Sequence, residues 1–338
     1  MYAGWIVILS VLLVLSMGVG VLAGSVDIGL GEVYRAVAGQ FGLGSGVDAN
    51  TAYIVVDLRL PRVVEGAVVG AGLALCGAVL QSLTGNVLAD PYILGLASGA
   101  SVGATAVLTL GITVVGLTGG PAVAIAAFVG ALLALFAVFA IATTRTGALL
   151  PGRLILAGVA VAQAGAALTA IMILRADVGA ADRVMRWTLG SLAGARWSTM
   201  PLLLAMVLIA AVVIVVSSRT LDAFAFGERS AMSLGVNVTA TRWLLYTIVS
   251  VCTAVMVAHS GIIGFVGLVV PHAARMIVGP LHARLLPVVL LVGALLLVWA
   301  DVLARTVVAH QEIPVGLVTA VIGVPVFVWL LRRRGGSA

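Results

Sequence analysis

The stretch LDAFAFGERSAMSLGVNV (221–238) lies between two long apolar runs and carries Asp222, Glu228 and Arg229 in a chain that is only 9% charged. It reads as two short helical pieces joined at Gly227 and stopped at Gly235. Asp222 suits the N-cap of the first piece. Glu228 suits the positive dipole end of the second, and Gly235 suits the left-handed turn that ends it. Phe224, Phe226, Met232 and Leu234 are apolar residues on a segment that faces water. Such a helix pair is suited to dock into a groove on another protein; the alternative is that its apolar residues fold back on the flanking helices.

Those flanks set the class. Of 338 residues, 62% are hydrophobic, and mean hydropathy is +1.26. A soluble fold needs far more charge to cover its surface. The apolar runs are continuous rather than alternating, which points to membrane helices and away from a barrel. All 18 basic residues are arginine. A phosphate-binding P-loop requires a lysine, so this chain carries no such motif. Cys76 and Cys252 both fall in apolar runs and read as small hydrophobes at helix contacts. The N-terminal run lacks a basic start and exceeds a typical signal core, so it reads as a retained first helix.

Measured in lengths of about 20 apolar residues, the chain gives ten spans, at 5–24, 62–82, 92–111, 120–142, 153–174, 199–217, 241–258, 262–278, 284–301 and 314–331. The eighth is short. Small residues recur along the spans, as in GAVVGAGLALCGAV (66–79), and allow close helix approach. With the N-terminus inside, the inner loops and tail gather Arg145, Arg153, Arg219, Arg229, Arg242, Arg275, Arg284 and the final three arginines against Asp90, Asp222 and Glu228. Arginines and acids nearly balance outside. The bias predicts both termini in the cytoplasm. Outside, LGEVYRAVAG (30–39) reads as a surface helix, and 175–198 reads as an interfacial segment rich in Arg and Trp. The fold expected is all-α, a single polytopic domain over 1–338 with about ten transmembrane helices.

Several blocks then identify a resemblance. DAFAFGERSAMSLGVNV (222–238) resembles the coupling-helix segment of the FecCD family, the ABC importer permeases for iron siderophores, haem and vitamin B12. LRLPRVVEGAVVGAGLALCGAVLQSLTGNVLADPYILGLASGAS (58–101), WTLGSLAGARW (187–197), SGIIGFVGLVVPHAARMIVGPLHARLLP (260–287) and DVLARTVVAHQEIPVGLVTAVIGVPVFVWLLRR (301–333) follow in the family's order. The resemblance covers nearly the whole chain. It implies the type II (BtuC-like) ABC importer permease architecture in a bacterial cytoplasmic membrane. It also implies a second permease subunit, two ATP-binding-cassette subunits inside and a substrate-binding protein outside, with no nucleic acid. The chain itself would bind no cofactor; ATP and Mg belong to the ATPase.

The same resemblance assigns candidate residues. The coupling set is Asp222, Phe224, Phe226, Gly227, Glu228, Arg229, Ser233, Leu234 and Gly235. Arg59, Arg62 and Arg305 match arginines that pair with acids on the binding protein, and a guanidinium forks onto carboxylate; the alternative is snorkelling at helix ends. Pro151 and Gly152 fall where the family places its cytoplasmic gate, with glycine allowing close approach and proline stiffening the turn. An ordinary tight turn is the competing reading. LTGNVLADP (83–91) departs from the family: Gly85 and Val87 replace an arginine and a proline, while Asn86, Asp90 and Pro91 are kept. Asp90 suits a cap for the third helix, with Pro91 in its first turn. Of the histidines, His272 and His282 read as structural, His310 lies in the last outer loop, and His259 is a candidate for substrate contact. No spacing resembles a metal site. Glu65 and Asp301 are expected to pair with Arg62 and Arg305.

Two other classes compete. An ion-driven transporter places carboxylates at the bilayer midplane, and no acid falls there. A membrane enzyme needs His, Asp or Glu clustered on one pocket, and the sequence offers no such cluster. The cargo ranking from sequence is ferric siderophore, then haem, then cobalamin, and WTLGSLAGARW favours a homodimer.

Overall fold

Backbone groups in lipid must be satisfied within the protein, so continuous apolar runs become helices. The computed structural model describes residues 2–24, 26–42, 47–308 and 311–334. In chain order the helices are α1 (Tyr2–Leu22), α2 (Leu30–Gln40), α3 (Ala49–Tyr53), α4 (Leu60–Thr84), α5 (Leu96–Leu110), α6 (Gly119–Ala142), α7 (Pro151–Leu174), α8 (Val178–Thr188), α9 (Met200–Val216), α10 (Ser218–Phe224), α11 (Glu228–Ser233), α12 (Val238–Ser260), α13 (Val266–Val278), α14 (His282–Thr306) and α15 (Val315–Arg334). Six are long and apolar enough to cross a membrane alone, α9 with α10 forms a bent seventh, and α5, α13 and α15 are shorter apolar helices. Each predicted span therefore falls on a helix among the described residues. Contacts among the ends of α1 and α14 and the start of α4 mark one end of the bundle, here the far side, and contacts among α10, α11, the starts of α12 and α14 and the end of α4 mark the other, the near side.

α4, α12 and α14 form the interior, whereas α1, α6 and α7 are mostly uncovered. Phe136, Leu133 and Leu168 on these outer helices are exposed, as a lipid-facing surface requires. The interior is packed backbone to backbone. A Cβ at Gly70 of α4 would run into the Gly293 carbonyl of α14, and one at Gly293 into the Gly70 carbonyl. Gly99 and Gly130 stand in the same reciprocal relation between α5 and α6. Gly70→Ala is expected to cost about 1–3 kcal/mol through overpacking, read as a lowered thermal midpoint in detergent. An unchanged midpoint would contradict this packing.

The eighth and third spans are shorter than predicted. α13 starts only at Val266, and α5 is preceded by a tight 3₁₀ turn, Pro91–Leu94. The Tyr92 hydroxyl accepts from Ile263 N–H and donates to Ile263 C=O, each at 3.1 Å. Non-helical backbone is tolerated at such depth when protein groups satisfy it. The surface helix expected at 30–39 is α2, and α8 occupies the segment expected at the interface, held by Trp197 Nε1 donating to Val56 C=O at 2.8 Å.

Candidate functional site

On the near side, the opening stretch folds as two short helices. α9 bends by 62° into α10 at Ser217. Gly227 (φ 90°) separates α10 from α11, and Gly235 (φ 83°) ends it; both are conformations that side chains resist. Asn237 caps α12 by accepting from Ala240 N–H. Phe226, Met232 and Leu234 stand exposed at 76, 52 and 68%, beside exposed Arg229 and Ser233. Phe224 differs from its fellows: it is buried, with the Arg242 guanidinium 5.7 Å from its ring centre.

Asp222 is corrected from the sequence reading. α10 begins at Ser218, so Asp222 sits inside it rather than capping it. It instead accepts from the backbone N–H of His282 at 2.9 Å and from His282 Nδ1 at 2.6 Å. α14 begins at His282 after Leu281, which offers no side-chain acceptor, so its first N–H groups need a partner from elsewhere. His282 Nε2 lies 2.6 Å from Ser82 Oγ, whose single hydrogen goes either to that nitrogen or to Ala78 C=O. Asp222, His282 and Ser82 thus pin α10 to the start of α14 and the end of α4.

α11 is held by a second contact. Glu228 pairs with Arg242 of α12 at 3.1 Å, and the arginine also donates to Leu149 C=O at 3.4 Å. Leu149 lies in the turn immediately before Pro151 and Gly152, where α7 starts with Pro151 in its first turn. The close approach expected of Gly152 is not made within this chain, since a Cβ there would meet no atom within 4 Å.

Asp90 and Pro91 act as expected, but for the 3₁₀ turn before α5: Asp90 accepts from Tyr92 N–H at 2.9 Å. Burial pushes its carboxyl up to about 6, against the opposing pull of that hydrogen bond. A folded carboxyl so raised keeps its proton where the unfolded chain has lost it, so stability falls as pH rises from about 4 to about 6. Asp90→Asn keeps the acceptor and removes the charge. Its stability in detergent is expected to fall less steeply than wild type over that range and to be no lower than wild type at neutral pH; an unchanged slope would contradict this.

On the far side, the three arginines turn inward. Arg59, Arg62 and Arg305 are 6, 8 and 9% exposed, which corrects the expectation of surface forks. α3 continues through a wide π-helical turn, Ile54–Arg59, directly into α4, so Arg59 and Arg62 lie within a helix. Arg305 lies in the last turn of α14 rather than beyond it. The last carbonyls of α1 have no helical partners. Arg59 donates to Val21, Leu22 and Val26 C=O, and Arg305 to Gly20 and Ala23 C=O. Arg62 joins Asp301 at 2.9 Å and both oxygens of Glu312 at 3.0 Å. Asp301 also meets Arg305 at 3.0 Å, as expected. The expected Glu65–Arg62 pair is not formed; Arg62 is already committed to Asp301 and Glu312.

His259 has its Nδ1 3.0 Å from Val255 C=O one turn back on its own helix. His310 lies outside the described residues. Among the described residues no three His, Cys, Asp or Glu side chains gather as a metal-holding group. Asp301 lies within about one and a half turns of the end of α14, and Glu65 lies about one and a half turns after the π-helical turn that leads into α4. Sequence reasoning missed His282 as the partner of Asp222 and Arg242 as the partner of Glu228.

Comparison with known proteins adds to this geometry. A sequence model of the FecCD transport family matches residues 8–333. The chain is 45% identical over 291 residues to the cobalamin import system permease of Halobacterium salinarum, covering 86% of this chain and 76% of the relative. It is 37% identical over 282 residues to the hemin transport system permease of Yersinia pestis, covering 83% and 84% of the two chains. Among solved structures, an inward-facing metal-chelate type ABC transporter superposes with a TM-score of 0.82 at 29% identity, covering 98% of this chain and 99% of that one.

Proposed function

The chain belongs to the FecCD transport family of ABC importer permeases, and from that premise we propose that it carries a bulky metal chelate across the cytoplasmic membrane on energy from a partner ATPase. The family implies a partner permease and ATPase subunits. The observation that carries the reading is the 221–238 segment, two short helices presenting Phe226, Met232 and Leu234 to solvent on a chain with no P-loop lysine. These residues seat in a cleft of the ATPase, which holds ATP and Mg. Closure of two ATPase subunits moves α10 and α11. The path opens or closes near Pro151 and Gly152, and the cargo crosses without covalent change. Both chain ends face the cytoplasm, and two copies of this chain form the dimer.

An extracytoplasmic binding protein docks on the far side. Arg62 supports this best, because one of its partners, Glu312, is half exposed and can be exchanged for a carboxylate of the incoming protein. Arg59 and Arg305 hold the end of α1 in place beneath that surface.

For the cargo, the cobalamin permease at 45% identity favours a corrinoid first, with haem and ferric siderophores next. The test is ATP hydrolysis by the complex of permease, ATPase and binding protein, measured with each of the three. Stimulation by cobalamin above the others supports the order, and stimulation by a ferric siderophore alone reverses it.

A further inference from the structure

Arg242 and Trp243 stand side by side in the second turn of α12, and both reach the same neighbouring turn. Arg242 is buried at 5% exposure. Its guanidinium joins three elements: Glu228 of α11 at 3.1 Å, the ring of Phe224 at the end of α10 at 5.7 Å, and Leu149 C=O at 3.4 Å. Trp243 donates from Nε1 to Gly147 C=O at 3.0 Å, and its ring meets Phe139 of α6 edge to face at 5.0 Å. The turn they hold is a short closed unit, with Thr144 N–H donating to Ala148 C=O and Thr143 bridged to Leu149. It runs directly into Pro151 at the start of α7.

We propose that Arg242 and Trp243 form a clamp that passes displacement of the coupling helices to the start of α7. The inference rests on the coupling reading above and names the route by which that coupling reaches the gate. Arg242 is a positioning residue: it touches neither cargo nor nucleotide. Arginine suits this place because its planar fork holds two acceptors at once while stacking on an aromatic ring. The pair is shielded at the arginine end, where a charge contact weakens less than it does in water. Displacing α11 therefore drags Glu228 against Arg242, and Arg242 against the carbonyl two residues before Pro151. Trp243 keeps the turn from yielding independently.

The test uses the full complex in lipid vesicles and needs no knowledge of the cargo. Gly152 is exposed with open space around it, so Gly152→Cys takes a spin label, while Cys76 and Cys252 are buried. Line shape is compared with and without a non-hydrolysable ATP analogue. A nucleotide-dependent change is expected in the Gly152→Cys parent, lost in Arg242→Gln and reduced in Trp243→Phe. The second variant keeps an aromatic ring on the Phe139 side and removes the indole N–H that holds Gly147 C=O, so it decides if Arg242→Gln does not fold. Exchanging charges with Glu228→Arg and Arg242→Glu restores the ion pair but no donor for Leu149; it is expected not to restore the change. A full response in both Arg242→Gln and Trp243→Phe, no response in the parent, or rescue by the charge exchange would each overturn the clamp. ATPase capture by Phe226 and Leu234 is measured separately, so the coupling reading stands or falls on its own result.

Discussion

Replacing Asp301 with alanine is expected to destabilise the protein by about 3–5 kcal/mol, the cost of leaving a buried ion partner uncompensated. Asp301 is 1% exposed and pairs with both Arg62 and Arg305. Its loss leaves Arg305 with only carbonyl acceptors and Arg62 with Glu312, on a half-exposed side chain. Both arginines are themselves buried, so neither reaches water without pulling α4 or α14 out of register. Arg305 also caps α1, and that contact loosens with it. Thermal unfolding in detergent measures the effect; a midpoint equal to wild type would show that the cluster contributes nothing to the fold.

The second large effect is at the near side. Phe226→Asp and Leu234→Asp are each expected to weaken binding of the ATPase subunit by about 30-fold or more, since an apolar anchor in a docking pocket contributes about 2 kcal/mol or more. Both side chains are exposed in the isolated chain, so the variants should fold with unchanged thermal midpoints. Phe224→Asp is the internal contrast. Phe224 is buried beneath Arg242, so its loss is expected to act on stability before it acts on docking. Equal ATPase affinity in wild type and the Phe226 and Leu234 variants would remove the docking surface from this segment.

The architecture was legible because lipid leaves few choices. A continuous apolar run of sufficient length has to become a helix, and each predicted span falls on a helix among the described residues, six of them long enough to cross alone. The breaks before α5 and α13 were harder. They depend on one hydroxyl, Tyr92, satisfying a backbone pair at Ile263, and no local pattern joins residues so far apart in sequence. The two short helices of 221–238 were legible because Gly227 and Gly235 mark them locally. Asp222 misled for the same reason: local capping rules favour its own helix, whereas its partner His282 lies sixty positions away. The arginines illustrate the limit most clearly. Sequence places Arg59, Arg62 and Arg305 at one end of the bundle, but which acceptors they meet is set by the end of α1 and by Asp301, and only the packed structure brings these together. An arginine and a tryptophan adjacent in the second turn of an apolar helix were the available signal for the proposed α12 clamp.

The central claim is that this chain moves its cargo on energy from ATP hydrolysed by a partner. The direct measurement is cobalamin uptake into vesicles holding the permease and its ATPase, with the binding protein outside and ATP sealed within. Uptake is predicted to require ATP, to stop when the ATPase is left out, and to persist when proton and sodium gradients are collapsed. Accumulation driven by either gradient, with no ATPase present, would contradict the account.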